Sequence, residues 1–217
     1  MEELIAMAAI VTPADQDVDD PGNLADTAVA PFVRPLSRLH RVLCPRQVLG
    51  VRTAVLAGRA LGVPLPQSDK RVIALAEIDG CYTDGLLVAS GCSVGHRTLR
   101  VMDFGKIAAT FFDTERRQAV RIWPRPEVRH TACAYARSSP SRWHAQREGY
   151  ARMPEAELLA CRPVDVAESL VHELLEAWDG RVVCAGCGEE VLQQRHVIVD
   201  GAAWCRGCAG GGYLAGC

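Results

Sequence analysis

The sequence predicts an α+β protein, in which a mixed sheet packs with helices and a small C-terminal zinc-binding module follows. Three observations lead to this prediction. Residues 44–62 show a strong helical pattern, and short apolar segments recur between residues 71 and 123. Beyond residue 182, two Cys-x-x-Cys pairs have the spacing of a zinc site.

The N-terminal segment, residues 1–30, is acidic and contains Pro13, Pro21 and Gly22. A segment of this composition buries little apolar surface, so we expect an extension that is largely loop. The folded core is expected to begin near Pro31.

The longest helix is expected directly after Cys44. Pro45 stands at the first helical position, where its missing N–H is tolerated, and Gly62 ends the helix. Residues 71–78 then form an apolar run that is typical of a buried strand. A short helix is expected over residues 84–90.

Three further strands are expected over residues 99–102, 107–112 and 119–123, the last two as a hairpin. Residues 124–152 are rich in Arg, Pro and Ser and show little periodicity, so we expect an extended flap. A short helix is expected over residues 153–160.

The remaining boundaries follow from helical spacing and from the cysteines. The α+β core is expected to span residues 31–162, a linking helix residues 163–181, and the zinc module residues 182–217. The linking helix is indicated by apolar residues at helical spacing, namely Val166, Leu170, Leu174 and Trp178.

The zinc module is predicted from four cysteines: Cys184, Cys187, Cys205 and Cys208. A Cys-x-x-Cys turn directs two sulfurs at one ion, and two such turns complete a tetrahedral shell that leaves no position for a substrate. Residues 190–201 are expected to form two short strands joined by a turn. We therefore expect structural Zn²⁺ in a zinc ribbon or a treble clef, with two disulfides in a secreted module as the alternative.

Composition limits the classes of partner. The formal net charge is −2, and within residues 184–208 only Arg195 and Arg206 are basic, so no nucleic-acid partner is expected. No apolar run is long enough to cross a bilayer, and the acidic start, Met1–Leu4, differs from a basic secretory signal. We expect a cytoplasmic protein without a membrane partner, whose cysteines are thiols or metal ligands.

A second candidate site lies in the core. Cys44 precedes the Pro that opens the long helix, where backbone N–H groups and the helix dipole favour a thiolate. His40 can reach the same place, and the two form a nucleophile pair or half of a metal site, unless Cys44 merely caps the helix. Asp79 and Cys81 follow the C-terminal end of the buried strand, and Cys92 lies in a Gly-rich turn.

The ordered series of these residues resembles the FmdE family, a family named after a component of formylmethanofuran dehydrogenase. The series spans roughly residues 36–123, and the C-terminal cysteine pairs extend it, since many members carry a treble-clef-type zinc module. Members usually have His-x-His-x-Cys-Pro-Gly at the first motif, whereas Val42 and Arg46 replace the second His and the Gly here. The matching residues are His40, Cys44-Pro45, Asp79-Gly80-Cys81, Asp84, Gly91-Cys92 and Asp103-Phe104-Gly105-Lys106.

The resemblance implies one cleft in the core, together with a homodimer formed through the core. It also implies a metal-binding protein, with a second metal ion in the cleft, that serves as an accessory or metal-handling partner of a molybdenum or tungsten oxidoreductase of the formylmethanofuran dehydrogenase type. The implied catalytic residues are Cys44, His40 and Lys106, and the implied cofactor-binding residues of the cleft are Asp79, Cys81, Asp84 and Cys92.

Two other functions stay open. One is an enzyme that acts on a one-carbon or other small substrate, in which Cys44 is the nucleophile or a catalytic metal ligand and His40 is the base. Asp79 or Lys106 would supply the charge that orients this substrate. The other is a regulator that recruits a partner through the zinc module while the core dimerises.

Overall fold

The structure is a computed structural model that describes residues 24–40, 42–136, 138–175 and 180–212. The chain divides into two units, Met1–Val166 and Ala167–Cys217. The first unit contains the core sheet, and the second contains the Cys-x-x-Cys pairs. Within the described ranges, no helix has the length and apolar character needed to cross a membrane.

The first two helices that contribute buried residues to the core are α1 (Ala30–Ser37) and α2 (Pro45–Leu61). The predicted start and end of α2 are confirmed, because Cys44 is its N-cap and Gly62 ends it in the left-handed region at φ 64°. Leu24 and Val29, which the sequence pattern assigned to the N-terminal extension, are buried in the core. The rest of the extension, residues 1–23, lies outside the described part of the chain.

The predicted mixed sheet is confirmed and has five strands in the order β2-β1-β3-β4-β5. Strands β1 and β2 are parallel and are connected through helix α3 (Cys81–Ser90), whereas the other neighbours are antiparallel. The strands are β1 (Val72–Ala76), β2 (Leu99–Val101), β3 (Ala109–Asp113), β4 (Gln118–Pro124) and β5 (Leu159–Val164).

One face of the sheet forms the hydrophobic core together with the helices. Ala74 of β1 pairs with Phe111 of β3, which pairs with Val120 of β4. These three side chains belong to the same buried cluster as Val48 and Val51 of α2. Alternate residues of each strand therefore point toward the helices, as the two-residue period of a strand requires.

The predicted flap over residues 124–152 is wrong. The segment contains helix α4 (Val128–Thr131), a 3₁₀ turn (Ala132–Tyr135) and helix α5 (Arg142–Arg152). Ser141 caps α5 by accepting a hydrogen bond from the backbone N–H of His144.

Helix α5 was missed because its buried side is made mostly of small residues. A Cβ on Gly149 would lie 2.1 Å from the carbonyl oxygen of Ala132, so only glycine permits this packing. The C-terminal end of the helix is bound by Arg52 of α2, a residue that is distant only in the sequence. Its guanidinium donates to the carbonyl oxygens of Tyr150 and Met153, each at 2.9 Å.

The end of the first unit also differs from the prediction. The helix expected over residues 153–160 is the shorter α6 (Glu155–Leu158), and strand β5 follows it directly. The expected linking helix is observed only as α7 (Glu168–Leu175), and Trp178 lies outside the described residues.

The second unit contains two hairpins, in each of which the strands are antiparallel. The strands predicted within residues 190–201 exist, but they belong to different hairpins and do not pair with each other. The first hairpin joins β6 (Arg181–Val183) and β7 (Glu190–Leu192), and the second joins β8 (Val197–Val199) and β9 (Ala202–Trp204). A π-helical turn, Gly207–Gly211, follows.

Candidate functional site

Four sulfur atoms converge in the second unit. The Sγ atoms of Cys184, Cys187, Cys205 and Cys208 all lie within 4.8 Å of one another. Tetrahedral zinc with Zn–S bonds of about 2.3 Å places its sulfurs roughly 3.8 Å apart, so the observed spacing needs only a small contraction around an ion. This cluster can hold a metal ion.

The hairpins explain why the sulfurs converge. Cys184 and Cys187 lie in the turn between β6 and β7, and Cys205 and Cys208 follow β9. The Trp204 ring packs on the first turn so closely that a Cβ on Gly186 would lie 2.6 Å from it. The close contact between Gly186 and the Trp204 ring thus allows the two Cys-x-x-Cys turns to pack against each other.

Backbone N–H groups point at the sulfurs, as they do around bound thiolates. The N–H of Cys205 donates to Cys184 Sγ at 3.2 Å, and that of Gly186 donates to the same atom at 3.4 Å. Backbone N–H groups, first that of Cys205, then that of Cys187 and more weakly that of Gly186, lower the pKa of Cys184 to about 6.

The thiol of Cys208 differs from that of Cys184 because neighbouring thiols crowd it. Hydrogen bonds with Cys205 and then with Cys187 raise the pKa of Cys208 to about 12. Four thiolates at this spacing need a compensating cation, because like charges oppose ionisation. The chemistry of the donor set therefore fits a divalent metal.

The core site depends on the crossing of α2 and α3. A Cβ on Gly50 would lie 2.1 Å from the carbonyl oxygen of Tyr82, and a Cβ on Gly85 would lie 2.3 Å from that of Gln47. The helices are therefore in backbone contact, and their N-terminal ends meet. Cys44 caps one helix, and Cys81 is the first residue of the other.

The thiols of Cys44 and Cys81 interact at this meeting point. Burial raises the pKa of the Cys44 thiol, and a side-chain hydrogen bond with Cys81 raises it further. The backbone N–H groups of Gln47 and Arg46 oppose these effects without cancelling them. Desolvation thus opposes the Cys44 thiolate that the donors at the helix end were expected to stabilise.

A histidine and a carboxylate lie beside the thiols. Asp84 follows Cys81 by three residues, so both face the same side of α3. His40, just after α1, places Nε2 2.6 Å from Asp84 Oδ2. Both side chains are about one-third exposed, at 32% and 34%. The His40–Asp84 contact and the Cys44–Cys81 contact thus join the segment 40–44 to the first turn of α3.

Cys44 and Cys81 open into a cavity of about 540 Å³, which we call the thiol cleft. Its walls come from α2, from the loop before β3, and from the segment that was expected to be a flap. Its lining includes two cysteines, three arginines and an indole, namely Cys44, Cys81, Arg46, Arg125, Arg129 and Trp143.

Three of the predicted site residues lie elsewhere. Cys92 follows the C-terminal end of α3, about 15 Å along the helix from Cys81, and its buried thiol donates to the carbonyl oxygen of Val72 at 3.3 Å. Asp79 and Lys106 are exposed and do not line the cleft. Among the described residues, neither of these two side chains forms an ion pair.

Sequence reasoning missed the far wall of the cleft. Arg125, Arg129 and Trp143 lie in the segment that lacks apolar periodicity, so no helix was predicted to present them. A usable signal was present, since Ser141 stands directly before the helix as a suitable N-cap.

Comparisons with known proteins agree with this architecture. A family model described as FmdE, Molybdenum formylmethanofuran dehydrogenase operon, matches residues 39–160. The crystal structure of a tungsten formylmethanofuran dehydrogenase FmdE-like protein from Syntrophus aciditrophicus superposes with a TM-score of 0.61 and 18% identity, covering 85% of this chain and 94% of that chain. At this identity the superposition shows a shared fold alone.

A relative from Archaeoglobus fulgidus, described as a probable S-adenosyl-L-methionine-binding protein, is 32% identical over 130 residues. The matched part is 54% of this chain and 35% of the relative, so the chain covers much less than the whole of that protein. The family model, in contrast, covers more than half of the chain and includes every residue that lines the thiol cleft. This chain belongs to the FmdE family.

Proposed function

We propose that this protein is a metal-binding FmdE protein with two separate sites, a structural Zn²⁺ in the four-cysteine module and a second metal ion in the thiol cleft. The observation that carries the proposal is the convergence of four Sγ atoms within 4.8 Å in the second unit. Four cysteines close the coordination shell, so this ion stabilises structure and binds no substrate.

A treble clef is the proposed form of the zinc module. In support, the first cysteine pair lies in a hairpin turn, a second hairpin follows, and the second pair opens a helical turn. Zinc is the proposed metal because four thiolates in a tetrahedron suit it and its ion has no redox chemistry.

The second metal ion would be held by Cys44 and Cys81, with Asp84, about one helical turn after Cys81, and His40, which binds Asp84, as further oxygen and nitrogen donors. Two sulfurs with nitrogen or oxygen ligands suit Zn²⁺, Fe²⁺ or Ni²⁺. An ion would supply the positive charge that allows both thiols to ionise. Cys92, Asp79 and Lys106 have no part in this proposal, given their positions.

The proposed biological role is that of a cytoplasmic accessory or metal-handling partner of a molybdenum or tungsten oxidoreductase, working as a homodimer formed through the core. The family description, which refers to a molybdenum formylmethanofuran dehydrogenase operon, supports the oxidoreductase partner. The absence of a substrate position at the four-cysteine cluster supports a role other than catalysis for the second unit.

One observation favours an enzyme as the second candidate. Asp84 orients the imidazole of His40 at 2.6 Å, as a carboxylate orients a catalytic base. Burial of Cys44 argues against it as a nucleophile, because burial raises the pKa of the thiol.

S-adenosyl-L-methionine, which the described function of the archaeal relative suggests, is less suited to this cleft. The compound carries a positive sulfonium and a positive ammonium group against a single carboxylate, so its net charge is positive. The described lining residues include three arginines and no acid, so the cleft opposes those charges.

Metal content measured by elemental analysis tests the proposal. We would compare the wild type with Cys184→Ser, with Cys44→Ala, and with Cys161→Ser, which removes an exposed thiol on β5 as a matched control. More than one ion per chain is expected in the wild type and the control, and each of the other variants is expected to lose a different ion. A metal content that none of these variants changes would contradict both sites.

A further inference from the structure

We propose that the thiol cleft binds an organic anion, a molecule with at least two phosphate or carboxylate groups on an apolar body that contains a planar ring. The inference rests on the proposed function in one respect, since it takes the thiol cleft as the functional site of the core. It requires no metal for the binding itself.

The charge of the lining residues carries the inference. Arg46, Arg125 and Arg129 line the cleft, and none of the lining residues that the structure describes is acidic. The whole chain has a formal net charge of −2, so this concentration of positive charge is a local feature. A guanidinium binds phosphate and carboxylate through paired N–H donors.

Two of these arginines are available for a ligand. Two other guanidinium groups of the first unit are neutralised by carboxylates: Arg71 binds Asp113, and Arg121 binds Glu77. Within the described ranges, by contrast, Arg46 and Arg129 form no ion pair.

The third arginine is held in place by the backbone. Nε of Arg125 donates to the carbonyl oxygen of Ala156 at 2.8 Å, which fixes the guanidinium and leaves further N–H donors. Arg46 lies in the first turn of α2, where the positive end of the helix dipole adds to its charge.

The remaining walls suit an apolar ring. Leu49, Ile107 and Val128 line the cleft, together with the indole of Trp143. Trp143 is 39% exposed, and the guanidinium of Arg147 lies 5.6 Å from its ring centre, which restrains the indole. An exposed, restrained indole beside cationic groups can stack on a planar ring whose substituents are anionic.

The volume agrees with a ligand of this class. Sites for small organic molecules typically enclose about 300–1,000 Å³, and the thiol cleft encloses about 540 Å³. Inorganic phosphate alone would leave most of this space and the apolar walls without contacts.

Isothermal titration calorimetry with four probes tests the inference. ATP combines a ring with phosphates, and folate combines a ring with carboxylates. Adenosine supplies a ring alone, and tripolyphosphate supplies charge alone. We expect ATP or folate to bind at least tenfold more tightly than adenosine and tripolyphosphate, and to weaken as the salt concentration rises. If ATP binds, phosphate is the recognised group, and if folate binds, carboxylate is the recognised group.

Arginine variants locate the binding. Arg46→Gln and Arg129→Gln should each weaken binding by about tenfold or more, because each removes a charge-assisted hydrogen bond. The exposed Arg38 lies outside the cleft, so Arg38→Gln, a matched control, should leave binding unchanged. Failure of both ATP and folate to bind, or equal binding by all three variants, would overturn the inference.

The same samples are analysed for metal before and after titration, and Cys44→Ala is included. Anion binding by protein that holds no core metal would contradict the proposed function and support this inference. A core metal in protein that binds neither ATP nor folate would support the proposed function and overturn this inference.

Discussion

Gly50 of α2 and Gly85 of α3 are in backbone contact, and this contact brings Cys44 and Cys81 together. Their Cα atoms are so close that a Cβ on Gly85 would lie 3.0 Å from Gly50 Cα. Because each cysteine stands at the start of its helix, the crossing point determines how far apart the thiols lie.

Substitution of Gly85 by alanine should destabilise the protein by roughly 1–3 kcal/mol, because the added methyl group meets backbone atoms that cannot rotate away. Helix propensity alone would favour alanine by about 1 kcal/mol, so the expected sign is opposite to that of an unhindered helical site. Gly95→Ala is the control, since the space around that residue is open. Thermal unfolding of the three proteins measures the effect. A Gly85→Ala protein as stable as the control would show that the helices are not in backbone contact.

Removal of the buried guanidinium of Arg52 should also be costly. It is 5% exposed and donates to three carbonyl oxygens of residues 150, 151 and 153. Arg52→Met leaves these carbonyls without their donor and should lower the free energy of unfolding by roughly 1.5–3 kcal/mol.

The control for this prediction is Arg59→Met, about two turns further along α2. Arg59 is exposed, and its partner is the carboxylate of Glu155. We expect a loss of at most about 1 kcal/mol there. Denaturant unfolding measures both variants. Equal losses would mean that Arg52 does not hold the end of α5.

A buried carboxylate makes stability depend on pH. Asp113 accepts hydrogen bonds from Arg71 at 3.1 and 2.8 Å, and this guanidinium lowers the pKa of the carboxyl group below its ordinary value. A lowered pKa in the folded state adds stability above the unfolded-state pKa of about 3.9, and this stability is lost as the pH falls through the lower folded-state pKa.

Asp113→Asn should therefore cost about 1–3 kcal/mol at pH 7, and the difference from the wild type should shrink as the pH falls below about 4. Asp165→Asn, at an exposed position, is the control. Urea unfolding at several pH values measures the difference. A difference that stays constant down to the acid limit would contradict the role of the ionised carboxylate.

Loss of the zinc ligands should unfold the second unit and leave the first intact. Unit 2 has little buried apolar surface among its described residues, with Val171 and Cys184 as its buried side chains. Binding of a structural ion then supplies much of the folding free energy. In Cys208→Ser, hydrogen exchange should show lost protection in β6 to β9 and unchanged protection in β1, β3 and β4. Protection retained in β6 to β9 would show that these hairpins fold without the ion.

The parts of the fold that could be predicted have local causes. The start and end of α2 follow from Pro45 and Gly62, and the cysteine cluster follows from spacing alone. The wrong flap has a non-local cause, since α5 is held by Arg52, which lies far away in the sequence. The sequence of residues 142–152 shows no periodicity that would indicate this contact.

The core site was predicted in part for a similar reason. Cys44 and Cys81 were recognised because each stands at the end of an element, where ligands bind. Cys92 was grouped with them because a Gly-rich turn resembles a ligand loop, but α3 separates it from Cys81. The arginines of the far wall were missed because single charged residues in an irregular segment are usually solvated.

X-ray absorption spectroscopy of a protein whose zinc module is disabled tests the central claim, that the thiol cleft holds its own metal ion. We would use the double variant Cys205→Ser/Cys208→Ser and then add Cys81→Ser to it. We expect the double variant to retain one ion with two sulfur neighbours at about 2.3 Å together with nitrogen or oxygen neighbours, and Cys81→Ser to remove one sulfur. A double variant without metal, or one whose ion has no sulfur neighbour, would contradict the claim.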